Sequence, residues 1–427
     1  MEQLPNGQRL ITERMDHVRS VCLGFWIPVG SRDEPRNLAG ITHFMEHLLF
    51  KGSERYTTKE IAQAFDVLGG EVNAATSKEY VLLYGRVVDQ ELPKAMDVLM
   101  DMLLAPSFSD LDREREVVLE EIAMYEDSPQ ELIHDVLMGT VFGNHPLGHP
   151  VLGFRESVGD VSEDTIRAYH SDSFRFEDMV VAAAGNVDAE LVKDLLLERY
   201  PLGNGPGVSR EPAQSAISTR TEFVTKETEQ MHVCLGGEGI ARGDDRRYVL
   251  SVLDSLLGGS VSSRLFQEVR EKRGLVYSVY SFNHLYEETG LCGVYFGCRP
   301  ERLDEVMNTI SPVLEDLGRE KVPEDELERA KLHLKGRVIL SLESTQSRMS
   351  RLGRSLLADM EILTLDEVAE RVDSVRAEDV LELAKEYYDP ERLSVVGIGS
   401  DESRFRSSVW NSEPHLLKED KKEGAHG

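Results

Sequence analysis

The sequence predicts an α+β protein built from two similar halves joined by a linker. Three observations carry this: short blocks from the first half recur in the same order in the second, a Pro/Gly-rich stretch between them breaks every periodicity, and strand-like alternation is interspersed with amphipathic helical patterns throughout. At 427 residues the chain is also too long for one ordinary core.

The recurring blocks are specific. VCLG at Val21 to Gly24 returns at Val233 to Gly236, and LLFKGS at Leu48 to Ser53 has a counterpart in LLGGS at Leu256 to Ser260. IAQAFDVLGG, from Ile61, resembles LFQEVREKRG, from Leu265; LDREREVVLEE is echoed by LERAKLHLKGR, and AAAGNVD by VGIGSDE. The expected division is a first domain over 1–205, a linker over 206–216 (within PLGNGPGVSREPAQSA), a second domain over 217–412 and a frayed, charged tail over 413–427.

Taken in order, 7–13 and 18–29 read as strands, and the polar loop SRDEPRN leads into an apolar helix around Leu38 to Ser53. Thr57, followed three residues later by Glu60, is a capping box that opens a second helix, and Gly69-Gly70 stops it. EVNAATSKEYVLLYGRVV alternates as a strand pair, and ELPKAMDVLMDMLLAP is an amphipathic helix stopped by Pro106. Next comes an acidic helix from Ser109 to Asp127; after GNHPLGHPVLG follow a helix near 162–171, the strand MVVAAAGNVD and a helix to about Tyr200.

The first helix carries the chemistry. His43, Glu46 and His47 stand in the order H-x-x-E-H. On a helix the two histidines lie about 40° apart, so both imidazoles can converge on one ion, and Glu46 sits about 60° to the other side of His43, within reach of a water on that ion. Phe44, Met45, Leu48, Leu49 and Phe50 are apolar, so the helix is expected in a core. A pair of hydrogen-bonded core histidines is the alternative reading, but chance supplies only about 0.06 such matches in a chain of this composition. On the acidic helix, Leu111, Val118, Ile122 and Tyr125 form the apolar stripe. Glu114 and Glu121 flank it within about 70°, whereas Glu120 points nearly opposite. Glu121 is therefore the acid that can face an interior metal, while Glu114 reads equally well as an edge carboxylate.

Composition bounds the function class. Hydrophobic residues make up 41% and charged residues 29%, as in ordinary globular proteins. A net charge of -29 argues against nucleic-acid binding, since phosphates would be repelled; a solvated acidic surface accounts for it, with attraction of basic peptides as a lesser role. No run of about 18 apolar residues and no basic-then-apolar leader occurs, which predicts a cytoplasmic protein with no membrane partner. Cys22, Cys234, Cys292 and Cys298 lie in strand-like segments and read as small buried hydrophobes.

HFMEH, the acidic helix and the duplicated halves together resemble the M16 family of zinc metallopeptidases over roughly residues 3–410, above all the short bacterial members similar to the β subunit of mitochondrial processing peptidase. Insulin-degrading enzyme is a longer, more distant relative. The resemblance implies one zinc per chain held by His43, His47 and Glu121, with Glu46 as general base and Glu114 as a further acid of the catalytic region. It implies that Asn73, Ala74 and Ala75 form a substrate-binding edge strand, and that Arg270 and Tyr277 hold or polarise the peptide carbonyl. It also implies a clam-like chamber, a homodimer, and cleavage of extended peptides or unfolded segments. A non-catalytic peptide-binding or assembly subunit of the same family is the competing class, against which the intact His43, Glu46, His47 and Glu121 speak.

Overall fold

A computed structural model describes residues 1–199, 210, 212–213 and 219–412. The predicted tail over 413–427, and the predicted linker over 206–216 apart from Arg210, Pro212 and Ala213, lie outside the described residues. The chain forms two compact units, each an α+β layer structure with its own sheet.

The first unit holds six strands: β1 (Glu2–Gln3), β2 (Arg9–Arg14), β3 (Ser20–Ile27), β4 (Glu71–Thr76), β5 (Val81–Val88) and β6 (Val180–Gly185). Their spatial order is β1-β2-β6-β3-β5-β4, with β2 parallel to β6 and the other neighbours antiparallel. The second unit holds β7 (Thr221–Thr225), β8 (Met231–Gly239), β9 (Val276–Leu285), β10 (Gly290–Cys298) and β11 (Ser394–Gly399), in the order β7-β11-β8-β10-β9. Here β7 runs parallel to β11 and every other pair is antiparallel. Strand for strand this is the arrangement β2-β6-β3-β5-β4, so the weak sequence repeat is a repeat of topology.

The VCLG blocks fall on β3 and β8, the central strands of their sheets, and both strands are buried on two faces. Along β3, Val21, Leu23, Phe25 and Ile27 enter the main core, while Cys22 and Trp26 enter a second cluster on the opposite face. On the main-core side lie the helices α1 (Ile41–Leu49), α2 (Thr58–Val67), α3 (Leu92–Leu104) and α4 (Leu111–Glu126). As expected, Thr57 and Glu60 close a capping box at the start of α2.

The opposite faces reveal a difference from the expected division. Among the described residues the first unit comprises 1–123, 149–199, 210 and 340–362; the second takes in 124–148. Helix α5 (Pro129–Phe142) packs Ile133 and Leu137 against Cys234, Tyr295, Val396 and Ile398 of the second sheet. The helix Thr345–Leu357 packs Met349, Leu352 and Leu356 against Cys22, Trp26, Val180 and Ala182 of the first. Each half of the sequence thus lends one helix to the other half's sheet. The physical reason is that both sheets are apolar on both faces and one half supplies helices for only one of them. The four cysteines are buried and unbridged.

Candidate metal centre

Helix α1 begins at Gly40, whose φ of +93° and whose contact with the backbone of Leu152 and Gly153 leave no room for a Cβ. Two of its unpaired N-terminal N–H groups find a partner in Glu34: Gly40 N–H donates to Oε2 at 2.7 Å and Thr42 N–H to Oε1 at 2.8 Å. Glu34 is buried, and desolvation pushes its carboxyl up to about 7 against these hydrogen bonds. Ile41, Phe44, Met45, Leu48 and Leu49 then seat α1 in the main core, which leaves its polar residues facing α4 and β4.

His43 and His47 stand one turn apart with ring centroids 4.6 Å apart and planes at 70°. Glu121, from α4, brings Oε2 to 3.3 Å from His47 Nε2 and 3.8 Å from His43 Nε2. The three donor atoms lie within 4.8 Å of one another. Ligands about 2.1 Å from a tetrahedral ion are separated by about 3.4 Å, so the spacing fits zinc. Two imidazoles and one carboxylate also match the donor chemistry of a catalytic zinc, which keeps a position open for water. Burial first, and the neighbouring His47 second, push His43 down to about 4, so its imidazole is neutral near pH 7. Among the described residues its buried Nδ1 finds no hydrogen-bond partner, and the ring's polar contact is through Nε2.

His47 is held from both sides. Its Nδ1 lies 2.9 Å from Glu114 Oε1, and Lys51 Nζ lies 2.7 Å from the other oxygen of that buried carboxylate. A proton on Nδ1 donated to Glu114 leaves the Nε2 lone pair free for an ion, as in carboxylate-histidine-zinc arrangements. Glu120 is exposed. Glu46 is half-buried; its Oε2 accepts from the Thr76 hydroxyl, and desolvation pushes its carboxyl up while Thr76 and His47 oppose the shift.

The first unit therefore brings together His43, Glu46, His47, Glu114 and Glu121, with β4 beside α1. β4 is the edge of its sheet; Asn73 and Ala75 are exposed, Ala74 is buried, and Asn73 Oδ1 accepts from the Ala74 N–H at 2.9 Å. Arg270 and Tyr277 belong to the second unit, where they are brought to each other: the Arg270 guanidinium lies 4.9 Å from the Tyr277 ring centre and 4.7 Å from that of Phe266. Residues Phe266–Glu271 form a π-helix, an uncommon turn often found at functional sites. Tyr277 is 76% exposed at the start of the edge strand β9.

Sequence reasoning missed Lys51, Thr76 and Glu34. Lys51 follows His47 by one turn, and Thr76 shares a strand face with the buried Ala74, so helical and strand periodicity carried signals for both. Nothing in the pattern marked Glu34.

Residues 9–154 match the family described as Insulinase (Peptidase family M16), and residues 160–334 match the Peptidase M16 inactive domain. An uncharacterized zinc protease of Streptomyces coelicolor is 41% identical over 417 residues, covering 94% of this chain and 90% of the relative. One of Bacillus subtilis is 42% identical over 387 residues, covering 90% of this chain and 94% of the relative. Among solved structures, a protease from Helicobacter pylori has a TM-score of 0.86 at 22% identity, covering 93% of this chain and 98% of that one. A structure described as the peptidase M16 inactive domain from Pseudomonas fluorescens has a TM-score of 0.85 at 20% identity, covering 94% and 98%. These two likenesses are of fold.

Proposed function

The chain belongs to the M16 peptidase family, and on that premise we propose that it is a zinc-dependent endopeptidase acting on extended peptides or unfolded segments. The observation that carries this reading is the convergence of His43 Nε2, His47 Nε2 and Glu121 Oε2 on one point, with His47 oriented through its other nitrogen by Glu114. His43, His47 and Glu121 would hold the ion. When bound, zinc supplies Lewis acidity that lets water attack a carbonyl near neutral pH.

The remaining work falls to the chain's own side chains. Glu46 takes the proton of the attacking water and returns it to the departing amine, so the carboxylate ends each cycle as it began. Its partly desolvated position raises its basicity, which suits both transfers. The free edge of β4 accepts an extended segment as an added strand, and the exposed Asn73 and Ala75 flank the scissile bond. Tyr277 and Arg270 are assigned to the peptide carbonyl, where a hydroxyl and a guanidinium offset the charge that develops on oxygen. Pairing of two copies and a cytoplasmic location complete the proposal; among the described residues no helix is long and apolar enough to cross a membrane.

Metal analysis combined with cleavage of an unstructured peptide, before and after chelation, tests the reading. Cleavage that disappears with the chelator and returns with zinc is the expected result. Cleavage indifferent to chelation, or a zinc-replete protein that cuts no peptide, would overturn it.

A further inference from the structure

Glu46 is the proposed base, yet a carboxylate one residue from a metal ligand has several rotamers, and only one serves the water. What selects it is visible in the first unit. The Thr76 hydroxyl donates to Glu46 Oε2. Thr76 is the last residue of β4, the edge strand of its sheet among the described residues. The strand is held on the other side: Thr76 stands opposite Val81 of β5, which is fully buried in the main core, and the next residue, Ser77, donates its backbone N–H to the Tyr80 carbonyl at 2.8 Å. The hydroxyl therefore projects from a rigid frame rather than from a loop.

We propose that Thr76 is the positioning residue for the general base, and that it ties the base to the strand that receives the peptide. This rests on the reading of the chain as a peptidase with Glu46 as base. A peptide laid along β4 adds hydrogen bonds to the outer edge of the strand that holds Glu46 at its end, so ordering of the substrate and orientation of the base occur on one element. Thr76 does not touch the substrate's reacting atoms in this scheme, and its effect passes through Glu46.

Isosteric replacement separates this role from a structural one. Thr76→Val keeps the β-branched shape that strands favour and removes only the hydroxyl, whereas Thr76→Ser keeps the hydroxyl. Zinc content, kcat and KM are measured for wild type and both variants on a peptide with one scissile bond. The expected result is a kcat for Thr76→Val about 10- to 100-fold lower with KM and zinc unchanged, and a kcat for Thr76→Ser within about threefold of wild type. Wild-type cleavage with an undiminished kcat in Thr76→Val would overturn this inference while leaving the peptidase reading intact. Equal losses in both variants would also overturn it, by assigning the effect to the strand rather than the hydroxyl. A zinc-loaded wild type without cleavage would overturn the peptidase reading and this inference together.

Discussion

A carboxylate stands at each ring nitrogen of His47, Glu114 at Nδ1 and Glu121 at Nε2, and the pair explains why two glutamates seven positions apart face the same way. Glu114 is itself neutralised by Lys51, so its buried charge is paired rather than stranded. Glu114→Gln should keep the fold but lower zinc affinity about 10- to 100-fold, because a neutral amide oxygen replaces the charged acceptor that orients the ring and raises its basicity. Glu120→Ala, on the exposed side of the helix, should change affinity little. Competition with a chromophoric chelator measures both, and comparable weakening by the two variants would contradict the assignment. Glu121 was legible in the sequence because helical phase alone separates it from Glu120. The partnership of Glu114 with His47 was not, since it depends on how α4 is registered against α1, which no local pattern encodes.

Helix α1 owes its entry to a carboxylate that pattern reading places on the surface. SRDEPRN looks like a solvated loop, yet Glu34 is 2% exposed and caps the helix that carries both histidines. Burial pushes its carboxyl up to about 7, against roughly 4.3 in an unfolded chain. Between those values the folded protein keeps a proton the unfolded chain has released, so this contribution to stability is present at low pH and lost as pH rises through about 7. Denaturation of metal-free protein as a function of pH should show Glu34→Gln gaining on wild type from about pH 4 to about pH 8. A stability difference that stays constant across that window would contradict the account. The π-helix at Phe266–Glu271 was equally hidden, because its residues fit an ordinary helical pattern and the extra residue per turn appears only in backbone hydrogen bonding.

Across the whole molecule, the exchange of helices explains a detail of the repeat. The glycines that end the two VCLG blocks lie beneath the borrowed helices: a Cβ on Gly24 would press on Met349 and Leu82, and one on Gly236 would come within 2.7 Å of Leu137. The repeat was legible, and so were the apolar faces of the strands. Which helix covers each second face was not, because an amphipathic pattern says that a face is buried without naming its partner. Gly24→Val should cost about 1–3 kcal/mol by overpacking despite the better strand propensity of valine, and Met349→Ala in the same chain should restore part of it. Denaturant midpoints of the single and double variants measure the coupling, and strict additivity would contradict the contact. The repeat also bears on the metal: among the described residues the histidine-bearing donor cluster belongs to the first unit, and His43 and His47 have no counterparts in the second. Zinc content and peptide turnover, determined on the same preparations of wild type and Glu46→Gln, test the central claim most directly. The account predicts one zinc per chain in both proteins, with turnover at least about 100-fold lower in the variant. A chain that binds no zinc, or a zinc-loaded Glu46→Gln that turns over like wild type, would contradict it.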